Sequence, residues 1–142
     1  MKKLVIAAVF ILLAGVTFSQ TLQKGSILGL HVITINLDPD VTFNQWENFG
    51  ITKYIPALNK EFQGDVEMYY LKVDRGDDEN GLGLLWLFKS SEVRAKYFSE
   101  EGDPTDLFNS KLEKALQSIS EEMSKIGSSN YSRLHFNDWI IQ

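Results

Sequence analysis

Two strand-like stretches of this chain are apolar on both faces, and nothing else in the sequence constrains the fold as strongly. "ILGLHVITINL", Ile27 to Leu37, and "LGLLWLF", Leu82 to Phe88, hardly alternate between apolar and polar residues. Successive side chains of a strand point to opposite faces. Leu28, Leu30 and Val32 therefore oppose Ile33 and Ile35, and Leu84 and Trp86 oppose Leu85 and Leu87. An antiparallel sheet with one face in water shows a clear alternation instead. The sheet these segments build needs cover on both sides.

The other elements follow from local signals. After Ile27–Leu37, the "DPD" of Asp38 to Asp40 ends the strand and "VTFNQW" opens a helix. Thr42 is placed to cap it, with Gln45 three residues on to complete a capping box and Val41 to staple onto Trp46. Trp46, Phe49, Tyr54, Leu58 and Phe62 recur at helical spacing, and Gly64 closes the segment. Pro56 lies inside it, where it removes one backbone hydrogen bond and predicts a kink near Thr52 to Tyr54. "VEMYYLKV", Val66 to Val73, and Leu82 to Phe88 read as a hairpin joined by "DRGDDENG". A short helix over "SSEVRAKYF" follows, then a long one predicted to start with Asp103 as cap and Pro104 at its first position. Phe108, Leu112, Ala115, Ile119, Met123 and Ile126 mark its buried face up to Gly127, and Tyr131 to Ile141 is the last strand.

The order β, α, β, β, α, β predicts an α+β fold of the ferredoxin-like kind, a four-stranded antiparallel sheet with helices on one face. Two helices cannot cover both faces, and the natural cover for the second is the sheet of another copy. The expected assembly is a homodimer whose paired sheets form an α/β barrel, since large exposed apolar patches mark interfaces.

"MKKLVIAAVFILLAGVTFSQ" has two lysines, an apolar run from Leu4 to Phe18, and small residues at Thr17 and Ser19. That is the pattern of a secretory signal. It predicts a signal peptide over 1–19 cleaved between Ser19 and Gln20, a single domain over 20–142, and a periplasmic or secreted location. The run is short for a spanning helix, so no membrane association is expected after cleavage. Loss of Lys2 and Lys3 carries the formal charge beyond −5 by two more negative units. With no basic cluster, nucleic acid is not an expected partner. There is no cysteine, which excludes disulfides, thiol catalysis and cysteine metal sites, and leaves the core to carry the stability alone.

"INLDPDVTFNQWENF", "GLLWLFKSSEVRAKYF" and "KYIPAL" resemble the first strand, turn and helix, the third strand running into a helix, and the proline-bearing helix end of the dimeric α/β-barrel superfamily. This superfamily includes the NIPSNAP, EthD-like, stress-responsive barrel and antibiotic-biosynthesis monooxygenase groups. The resemblance covers nearly all of the chain after residue 19 and implies a pocket between sheet and helices. Members use that pocket for haem, for polyphenolic substrates oxygenated without a cofactor, or for proton transfer. This chain lacks a helical histidine in the second long helix to ligate haem, and no asparagine, tryptophan and histidine set matches the haem-degrading members.

Candidate chemistry is sparse. His31 and His135 are the two histidines, both on predicted strands; without a third ligand they make a weak metal site, and no metal or cofactor is expected. Asp74, Asp77, Asp78, Glu79 and Asn80 offer oxygen ligands, but the EF-hand spacing fails and a solvated hairpin loop is the simpler reading. No catalytic set can be assembled. The remaining clue is aromatic: Trp46, Tyr54, Tyr70 and Trp86, with His31 at the rim, would surround a sheet–helix pocket and bind a small apolar or aromatic ligand. The alternative reading is a cofactor-free or haem-dependent monooxygenase-like enzyme.

Overall fold

The computed structural model describes residues 22–75, 81–126 and 130–142; within these, only the backbone is described for 33–36, 81 and 130–136. The expected signal peptide, the hairpin tip at 76–80 and Gly127 lie outside the described residues.

The chain forms an α+β fold around a four-stranded antiparallel sheet. Strand β1 is Ile27–Asn36. A composite helix follows: α1, Phe43–Phe49, runs through a π-helical turn at Gly50–Tyr54 into α2, Ile55–Glu61. Strands β2, Val66–Lys72, and β3, Gly81–Phe88, form the expected antiparallel pair. Helices α3, Ser91–Tyr97, α4, Asp106–Ser118, and α5, Ser120–Ile126, lead to β4, Asn130–Ile140. The strand order is β2-β3-β1-β4, so the first and last strands are neighbours.

Thr42 caps α1 as its sequence predicts. Its hydroxyl accepts from the Gln45 backbone N–H, and the Gln45 side chain accepts from the Thr42 N–H at 2.8 Å. Pro56 acts differently from a simple kink. The turn before it widens, and the Ile55 N–H donates to the Gly50 carbonyl five residues back, so one inserted residue absorbs the register lost at the proline.

Two helix limits differ from expectation. The helix after Pro104 is capped by Thr105, not Asp103: the Thr105 hydroxyl accepts from the Phe108 N–H and donates to the Lys96 carbonyl at 2.8 Å. Asp103 and Pro104 are held extended, because Phe98 bridges Pro104 and the Ser99 N–H donates to the Asp103 carbonyl at 2.9 Å. The long helix is also divided. At Ile119 the backbone leaves helical geometry (φ −123°, ψ 15°), and α5 begins at Ser120.

Strand pairing sorts the side chains into two faces. Cross-strand rows Ile27–Phe88–Val66, Gly29–Trp86–Met68 and His31–Leu84–Tyr70 share one face. Every strand residue of the core cluster comes from these rows, and they meet Phe49, Ile55, Leu58, Phe62, Tyr97, Phe98, Phe108 and Ala115 from the helical side. Leu28, Leu30, Leu71, Leu85 and Leu87 alternate onto the other face and contribute nothing to that cluster. Tyr69 on this face is 37% exposed and Trp139 60%.

Candidate functional site

The five residues expected around a sheet–helix pocket fall into two groups. His31 on β1 and Trp86 on β3 occupy adjacent rows of the helix-covered face, and their rings stack with centroids 5.5 Å apart and planes 21° from parallel. The register also separates the two histidines: His31 pairs with Phe136 while His135 pairs with Val32, so they take alternate positions of the pleat. Among the described residues no group of three or more metal-ligating side chains comes together.

Trp86 is buried within a cage of rings. Phe62 meets it edge-on at 6.2 Å, Phe98 edge-on at 6.1 Å, and Phe108 tilted at 5.6 Å. Tyr70 lies in the row of His31 and Leu84, next to the row of Trp86. Its ring sits against Gly50 of the π turn so closely that a Cβ at position 50 would fall 2.9 Å from the Tyr70 Cε2. The second group hangs from the composite helix. Phe49 links Trp46 at 6.0 Å to Tyr54 at 6.5 Å. Tyr54 packs half-buried on the core. Trp46 is half-buried and reaches the core through Phe49.

The polar atoms of this interior are unusual. The Tyr70 hydroxyl and the Trp86 Nε1 are both buried, and neither finds a hydrogen-bond partner among the described residues. Buried donors of this kind are rare in folded proteins and cost stability when left unmade. Tyr70 also holds its proton firmly. Burial first, and the Glu47 carboxylate second, push its pKa up to about 12. Glu47 is itself paired with Lys72 at 3.1 Å.

A broad groove of about 840 Å³ runs along α4 and α5, floored by Leu112, Leu116 and Met123 and rimmed by polar side chains including Asn109, Glu113 and Gln117. None of the five expected residues is in its described lining. Leu112 and Met123 nevertheless pack on the same core as Tyr54, Tyr70 and Leu84, so the groove floor and the aromatic interior share side chains.

Sequence reasoning missed the cage and the turn. Phe98 and Phe108 carry a helical or terminal apolar signal that says buried, not that both meet Trp86. Gly50 could have been found as the lone glycine inside the first helical pattern, a position that needs a packing reason. No helix of the described residues is long and apolar enough to cross a membrane. Compared with protein-family models, curated proteins and solved structures, the chain matched none.

Proposed function

We propose that this chain is an exported ligand-binding protein of the dimeric α/β-barrel kind, which holds a small apolar or aromatic molecule between its sheet and helices. In this reading the β4-β1-β3-β2 order is the ferredoxin-like one, and the sheet face bearing Leu28, Leu30 and Leu85 pairs with a second copy. Cleavage between Ser19 and Gln20 releases the domain to the periplasm or the exterior. His31 orients the ligand by stacking beside Trp86 and is neither nucleophile nor metal anchor.

The observation that carries the ligand-binding part is the pair of buried donors without partners, Tyr70 Oη and Trp86 Nε1, inside an aromatic interior. A binding site is an apolar enclosure with a few polar groups that fix orientation, and these two atoms have that character. The adjoining π turn supports it, since such bulges recur at functional sites.

Native mass spectrometry of protein purified from its own cell tests both halves at once. The expected result is a dimer of chains starting at Gln20 that carries a non-covalent small-molecule adduct. A bare dimer overturns the ligand half, a liganded monomer overturns the dimer, and retention of Met1 overturns export.

A further inference from the structure

We propose that the ligand is a neutral, flat apolar molecule bearing a hydrogen-bond acceptor, a carbonyl or ether oxygen or a ring nitrogen, which Tyr70 Oη and Trp86 Nε1 read together. This rests on the ligand-binding reading above and adds the chemistry of the bound molecule.

Both unpartnered atoms are donors. An indole N–H can only donate, and a tyrosine hydroxyl donates unless another donor faces it. The cage around Trp86, made of Phe62, Phe98 and Phe108, offers ring faces and edges and no acceptor of its own. A molecule that satisfies the two donors must therefore bring the acceptors. Its body must be apolar and flat, because the surrounding surface is aromatic and because His31 and Trp86 already present stacked rings.

Charge excludes an anion. A carboxylate or phosphate would be the strongest acceptor, but the charge that acts on Tyr70, after burial, is the negative one of the Glu47 carboxylate. Lys72, the cation beside it, is already paired with Glu47. In the groove that shares Leu112 and Met123 with the core, the ionisable member of the described lining is another carboxylate, Glu113. Two cations border the cage, and both are engaged: Lys111 lies over the Phe62 ring and donates to the Glu61 carbonyl, and Arg94 lies over the Phe98 ring and pairs with Asp138 at 2.9 Å. Desolvating an anion here would therefore require breaking one of these contacts to gain a counter-charge.

The test uses three probes of one shape on the full chain: naphthalene, 2-acetylnaphthalene and 2-naphthoate, with affinities measured by calorimetry. Wild type is expected to bind 2-acetylnaphthalene about tenfold more tightly than naphthalene and to bind the naphthoate more weakly than either. Tyr70→Phe should abolish most of the acetyl preference while leaving naphthalene affinity within about twofold. Trp86→Phe should act in the same direction. Should the indole prove necessary for folding, Tyr70→Phe suffices alone, and its thermal midpoint should equal or exceed wild type because the lost hydroxyl had no described partner. Equal binding of naphthalene and 2-acetylnaphthalene by wild type overturns this inference and leaves the ligand reading standing. Tightest binding of the naphthoate also overturns it. Failure of all three probes to bind overturns the ligand reading itself, and this inference with it.

Discussion

Asp65 and Tyr97 form a polar contact at the edge of the core whose sign with pH can be worked out. The Tyr97 hydroxyl donates to Asp65 Oδ2 at 2.8 Å, and Lys96 stands 3.4 Å from the same carboxylate. Burial raises the Asp65 pKa, but the Tyr97 hydrogen bond and the Lys96 charge outweigh it, leaving the pKa below the ordinary 3.8. A carboxylate with a lowered folded value adds stability above its unfolded pKa and loses it as the pH falls through the folded one. Tyr97 behaves oppositely: burial first, then Asp65, raise its pKa above 10.0. Its contribution is complete below that value and lost as the pH rises toward the folded one. Tyr97→Phe should therefore cost about 1 kcal/mol at pH 7, a low figure because Asp65 is partly in water. That gap should narrow below pH 3.8. Urea unfolding at neutral and acid pH measures it, and a gap independent of pH would contradict the assignment.

At the scale of elements, the composite helix turns on Gly50. Its backbone is ordinary αR (φ −54°, ψ −51°), so alanine would fit the conformation and by helix propensity alone gain about 1 kcal/mol. The close approach of the Tyr70 ring opposes this: a Cβ would meet Tyr70 Cε2 at 2.9 Å and Cδ2 at 3.0 Å. Overpacking of that kind costs about 1–3 kcal/mol, so Gly50→Ala should destabilise the fold. In a Tyr70→Ala background the same change should become neutral or stabilising, and a double-mutant cycle reads the coupling. The contrast shows what was legible in the sequence. The Thr42–Gln45 box is local chemistry within four residues and appears as written. Pro56 announced a break, but kink or π turn depends on what packs against Gly50, which is non-local. Thr105 and Asp103 are both competent caps; the choice is made by Phe98 and Ser99, which tie Pro104 and Asp103 into extended backbone. In the candidate site, the His31–Trp86 neighbourhood was legible because strand order puts β1 beside β3. The ring cage was not, because helical periodicity does not say which buried faces meet.

For the whole molecule, the remaining problem is the apolar sheet face and the two sheet edges. The β2 edge is blunted from within: the Asn59 side chain accepts from the Met68 N–H at 2.7 Å and donates to the Met68 carbonyl at 2.8 Å, occupying backbone groups that an added strand would need. That device guards an edge and does nothing for a face. The face carries Leu30 paired with Leu85 near its middle, flanked by Leu28 opposite Leu87 and by Leu71 opposite Gly83. Leu87 is already buried in the single chain, but each apolar Å² of this face left in water costs about 25 cal/mol, and in the proposed dimer a second copy of the same face would cover it with a self-complementary patch. Leu85→Lys tests this at its centre, since a twofold contact would bring two ammonium groups into one desolvated site, which is strongly unfavourable. The expected outcome is a dimer for wild type and a folded monomer for Leu85→Lys by multi-angle light scattering at micromolar concentration. Leu107→Lys, an exposed apolar position on α4, should remain dimeric. If both variants keep the wild-type mass, the dimer uses another surface, and a monomeric wild type would leave the face without the partner proposed for it.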